Sequence, residues 1–177
     1  MKAATALLDR VGRRSVQVLG ELGYAAMLFV ESLYFIGAGW ARGQPVRPRM
    51  VAEQMRQIGV DALPIISLLS LTIGVMLGIQ FIAALSEFGA ESQVIIATAK
   101  SITREFGALI TAIVVAGRTG SALAARLGSM VVSQEVDALA VTGIDPVRYL
   151  VAPALLAMLV MVPVLTVFAN LVALTGA

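Results

Sequence analysis

The sequence predicts an all-α, polytopic membrane protein, and three observations predict it. Hydrophobic residues make up 59% of the 177 positions and charged residues 14%, about half the charged share of a soluble domain. Two stretches, 62–86 and 149–177, hold no Asp, Glu, Lys or Arg at all, and each is long enough to cross the ~30 Å hydrocarbon core of a bilayer as a helix. Small residues also recur every fourth position in two places, the pattern that lets helices approach closely in lipid.

Composition also removes function classes. The chain has no Cys and no His, so it has no thiol nucleophile, no thiolate or imidazole metal ligand and no histidine general base. No catalytic residue and no metal ligand set is assigned, and no cofactor is assigned to this chain. The sequence lacks a G-x-x-x-x-G-K-[ST] phosphate loop. The net charge of +2 is too small to argue for nucleic acid, and the basic residues read as topology markers.

Residues 1–60 are read as a cytoplasmic or interfacial N-terminal region. Lys2, Arg10, Arg13 and Arg14 precede an apolar stretch from Ser15 to Trp40, interrupted by Glu21 and Glu31. Val16, Leu19, Gly23, Met27, Val30 and Tyr34 recur at helical spacing, which predicts an interfacial or elbow helix along the cytoplasmic leaflet. The bland alternative is a poor first span with snorkelling acids. Gly43-Gln44-Pro45 and Pro48 mark a turn.

The first span is placed at 62–86, roughly 37 Å of helix. Pro64 sits in its first turn, where a missing N–H costs little. Ser70, Gly74 and Gly78 form a packing stripe, and Gln80 is its one strongly polar side chain near the far end. The loop 87–93 holds two acids and no basic residue, whereas Arg is dense before the first span and returns at Arg118, Arg126 and Arg148. The positive-inside rule therefore puts the N-terminus and residues 118–148 in the cytoplasm.

The second span is placed at 92–117, with helix continuing towards Met130. It carries Lys100, Arg104 and Glu105 at depth, where ionisable groups face a bundle interior or a wet cavity, or pair structurally with another helix. Ala112, Ala116, Gly120, Ala124 and Gly128 form the second stripe. Glu135-x-Asp137-Ala138-Leu139 and Gly143 read as a short helix, placed at 133–144, with acids at its start and a glycine stop. Asp145-Pro146 then caps a new helix, which leads into a third span at 150–174. Pro163 is expected to kink that span.

From Gly117 onward the motifs Gly117-Arg118-x-Gly120-Ser121-Ala122, Gly128-x-Met130, Gln134-Glu135-x-Asp137-Ala138-Leu139 and Asp145-Pro146 with Pro153 resemble the MlaE/YrbE family. Upstream, Gly74-x-x-x-Gly78-x-Gln80 and Arg104-Glu105-Phe106-Gly107 fit the same pattern. That family comprises permease subunits of ABC transporters that work with MCE proteins on lipids. The resemblance covers about residues 50–170.

It implies a single permease domain in the bacterial inner membrane, with an interfacial N-terminal helix and three of the family's usual five spans. On this reading the chain is C-terminally truncated. Glu135, Asp137, Ala138, Leu139 and Gly143 would form the coupling helix that docks on an ABC ATPase subunit. Gln80, Arg104 and Glu105 would lie by a lipid cavity between two copies of the chain. ATP and Mg would belong to the ATPase, and the partners would be that ATPase, an MCE-domain protein, a second copy, phospholipid and the membrane. Three positions depart from the family: Arg126 in place of an acid, Ala108 in place of proline, and Ala154 in place of arginine. An ion- or proton-coupled secondary transporter or channel fragment, or a membrane scaffold, is the alternative.

Overall fold

A computed structural model of the chain describes residues 2–38 and 48–177, with side chains for 12–34 and 48–177. The described residues form helices joined by short turns, and no strand occurs among them. The turn read at 43–45 lies outside the described residues.

The N-terminal helix α1, Lys2–Ala38, is continuous. Its apolar face at Val16, Leu19, Met27 and Val30 is exposed. The bundle is met instead off that face, where Glu31 is half-buried and Ser32 fully buried. The segment Gly12–Tyr34 is long and apolar enough to cross a membrane by length and composition, as the alternative reading of this region requires.

Helix α2, Pro48–Gly59, and helix α3, Leu63–Ser86, are joined through the tight turn Val60–Ala62 into one helical run. Pro64 lies in the first turn of α3. Its far end closes as expected of a glycine cap. Gly89 takes φ +66, and the Ala90 and Gly89 N–H groups donate to Leu85 and Ser86 carbonyls at 3.0 and 3.1 Å, satisfying the last orphan acceptors.

The second long run is built from α4 (Val94–Ser101), α5 (Gly107–Val114) and α6 (Ser121–Val132). Wider π-type turns at Ile102–Phe106 and Val115–Gly120 link them. From Glu91 to Val132 this is 42 residues, ~63 Å at 1.5 Å per residue. That is about twice the hydrocarbon thickness, so the arginine-bearing α6 end must project beyond it.

Helix α7, Glu135–Val141, follows immediately, starting at Glu135 because Gln134 takes the left-handed φ of 58 and breaks the path from α6. Gly143 at φ +77 ends it. The Ile144 N–H donates to Leu139 O and the Gly143 N–H to Ala140 O, both at 3.0 Å, a pair of bonds that makes the glycine stop read from the sequence. Asp145 then caps the next helix: its Oδ1 accepts from the Val147 N–H at 2.9 Å and the Arg148 N–H at 3.4 Å. Asp145→Ala should cost about 1 kcal/mol, read as a lower thermal midpoint that Asp145→Asn largely restores.

After the π-type turn Val147–Val151, helix α8, Ala152–Gly176, runs through Pro163 without a break. It is the centre of the bundle, with α2, α3 and α5 all lying against it. The core gathers Ala62 and Ile66 from the first span, Ile110, Val114 and Val115 from the second, and Leu165 and Ala169 from the third.

Candidate functional site

Two regions gather the residues singled out by sequence: the faces of the spans and the projecting α6–α7 end. On α3, Ser70, Gly74 and Gly78 are buried on one stripe together with Ile66. Gly74 lies directly against the Ala173 backbone, and a Cβ built at Gly78 would come 2.8 Å from the Ala177 carbonyl oxygen. This stripe is the α3–α8 seam. The second stripe behaves differently. Ala112, Ala116, Gly120, Ala124 and Gly128 are all exposed, and nothing lies within 4 Å of a Cβ built at Gly120 or Gly128. That helix buries its other side, Ile110, Thr111, Val114 and Val115, so the small-residue face predicted for packing meets no helix among the described residues.

A close approach absent from both stripes occurs at Gly107, which sits against the Asn170 side chain of α8. The Thr111 hydroxyl donates to the Gly107 carbonyl at 2.9 Å, and Asn170 Oδ1 is buried without a hydrogen-bond partner among the described residues. A lone Asn in an uncharged span was the available signal.

Lys100, Arg104 and Glu105 share a recess of about 500 Å³ with Ser101. Arg104 and Glu105 fall within the π-type turn, where the Gly107 N–H reaches back five residues to Ile102 O. All three charged side chains are exposed rather than turned into the bundle. Gln80 is exposed too, in a separate and larger depression of about 920 Å³ beside Val75, Met76 and Glu87. A single chain therefore does not bring Gln80 together with Arg104 and Glu105.

At the projecting end, α7 is mostly surface. Glu135, Asp137, Ala138 and Gly143 are exposed, and Leu139 is half-buried. Around them Val132 is 84% and Val141 88% exposed. Arg118, read from the sequence as a boundary marker, also ties two spans together, since its Nη1 donates to the Asp61 carbonyl at the start of the first.

Comparison with known proteins bears on this arrangement. The family model described as permease MlaE matches residues 51–177. The chain is 36% identical over 163 residues to the intermembrane phospholipid transport system permease protein MlaE of Haemophilus influenzae, covering 90% of this chain and 59% of that protein. It is 28% identical over 170 residues to a probable ABC transporter permease protein of Rickettsia typhi, covering 96% and 64%. Against the Arabidopsis thaliana protein TRIGALACTOSYLDIACYLGLYCEROL 1, chloroplastic, it is 38% identical over 118 residues, covering 67% and 34%. The chain thus spans less than two thirds of the length of each of these relatives. With an all-helical polytopic fold and a family match over most of its length, the chain belongs to the MlaE permease family and is a multi-pass membrane protein.

Proposed function

We propose that this chain is the permease subunit of an ABC transporter that moves phospholipid or a related lipid, driven by a separate ATPase that carries ATP and Mg, with an MCE-domain protein as its lipid-handling partner. The observation that carries the reading is α7. It is a short, capped helix at the end of a run too long for the membrane, and it offers Asp137, Val141 and neighbouring apolar side chains to solvent. Such a surface fits a groove on a cytoplasmic protein.

The charged recess supports a second copy of the chain. Arg104 lies 13 residues into the Glu91–Val132 run, ~20 Å along it, and neither Arg104 nor Glu105 has a hydrogen-bond or ion-pair partner among the described residues. Charges at that depth are costly against lipid. A copy across this face would enclose them in a wet cavity for an amphipathic ligand. On this reading ATP-driven closure of the ATPase pair pushes α7, and the spans shift as rigid bodies, changing the volume of that cavity.

The chain sits in a bacterial inner membrane with its N-terminus cytoplasmic. The apolar stretch of α1 from Ser15 onward has positive charge on both sides, Arg10, Arg13 and Arg14 within the helix before it and Arg47 and Arg49 beyond the helix end. The positive-inside rule puts both ends on the same side, which favours α1 lying along the leaflet. Purification in mild detergent with mass spectrometry of co-eluting material tests the whole. An ABC-type ATPase together with phospholipid is the expected result. A lone oligomer without a nucleotide-binding partner would overturn the proposal in favour of a scaffold or channel.

A further inference from the structure

At the arginine-rich end of the bundle, away from the charged recess of the second span, α2, α6 and the start of α8 enclose a recess of about 280 Å³. Three guanidinium groups line it: Arg56 from α2, Arg118 from the π-type turn and Arg126 from α6. Arg118, Ala122 and Arg126 stand four residues apart, on one helix face. The Thr119 hydroxyl and the Gln57 amide add hydrogen-bonding groups, and Ile58, Leu123, Ala154 and Met158 make an apolar floor.

The cations outnumber their partners. Asp61 lines the recess and Glu53 stands near it. Glu53 is held by Arg56, whose Nη2 donates to its Oε1 at 2.8 Å. Arg118 spends Nη1 on the Asp61 carbonyl, which leaves other N–H donors of its fork open. Arg126 has no hydrogen bond or ion pair among the described residues.

Three cations against two carboxylates, with one guanidinium that feels Glu53 only at a distance and makes no hydrogen bond or ion pair among the described residues, describe a half-filled site for an anion. Guanidinium forks match the oxygens of a phosphate, and a basic pocket between helices at the membrane surface is where a phospholipid head group is taken. We propose that this recess binds a phosphate group, the phosphodiester of an anionic lipid in the adjoining leaflet, with Arg126 as its main anchor. The apolar floor favours a lipid over a bare ion, because it can take the glycerol and the first carbons of a chain. Only the naming of that leaflet as cytoplasmic rests on the permease reading.

The test uses the full chain, with whatever subunits it retains, in nanodiscs of phosphatidylcholine doped with phosphatidylglycerol. Retained lipid is read by native mass spectrometry, and thermal stability is read with and without inorganic phosphate. Wild type should retain phosphatidylglycerol over phosphatidylcholine. Arg126→Gln should weaken that preference about fivefold, Arg126→Lys should keep most of it, and Arg49→Gln, at an exposed arginine of α2 outside the recess, should leave it unchanged.

If inorganic phosphate alone raises the thermal midpoint in an Arg126-dependent way and phosphatidylglycerol shows no preference, the phosphate site stands but its source is soluble. If Arg126→Gln folds normally and changes neither readout, the proposal is overturned. ATPase capture plays no part in these readouts, so either failure is separable from a failure of the permease assignment.

Discussion

Gly74→Leu is expected to dismantle the bundle. Any Cβ at Gly74 would be driven into the Ala173 carbonyl of α8, which is backbone and cannot swing aside. The same seam is tight from the other side, where a Cβ at Gly176 would come 2.8 Å from the Leu71 carbonyl oxygen. Overpacking a core by a methylene or two costs about 1–3 kcal/mol, and separating two helix backbones along several turns exceeds that. The measurement is the thermal midpoint and peak shape in size-exclusion chromatography, where Gly74→Leu should aggregate or fail to express. The control is Gly128→Ala. That glycine is helical and nothing among the described residues lies within 4 Å of a Cβ built there, so the change should be neutral or add about 0.5–1 kcal/mol through the lower chain entropy of alanine. Equal damage from both substitutions would sink the assignment of the α3 stripe to the seam.

That contrast shows what was legible in the sequence. Four-residue spacing of small residues marks a helix face able to accept a close neighbour, and both stripes have it. It does not say where the neighbour comes from. Gly74 and Gly78 meet α8 within the chain, whereas Gly120 and Gly128 face open space. Local signals carry furthest: the glycine stop at Gly143 and the cap at Asp145 need only the residues beside them, and both are present. The three spans also fall inside the long apolar helical runs.

What escaped was structure set at a distance or by small backbone departures. Each π-type turn widens the helix locally and shifts the faces that follow, which apolar periodicity does not register. Gln134 takes a left-handed conformation that glycine, or less often Asn or Asp, would signal, and α7 starts at Glu135, inside the 133–144 segment. The bond from Arg118 to the Asp61 carbonyl joins residues 57 apart, and no local pattern encodes it.

The largest functional effect is expected from the exposed face of α7. Asp137→Lys reverses a charge in its first turn, and Val141→Asp places a carboxylate where an 88%-exposed apolar side chain stands. Neither residue supports the fold, so both variants should purify with wild-type thermal midpoints. An anchor residue at the centre of a protein interface is worth about 2 kcal/mol or more, roughly a thirtyfold loss of affinity for the ATPase subunit. ATPase recovered with the permease should fall accordingly, and lipid transfer with it. Gly143→Ala tests a different link. At φ +77 an alanine costs about 1 kcal/mol, which loosens the end of α7 while its docking side chains remain. It should weaken transport more than binding, because a push transmitted through a short helix depends on that helix being rigid at both ends. If Asp137→Lys and Val141→Asp keep both the ATPase and full lipid transfer, α7 is not the contact through which the motor acts.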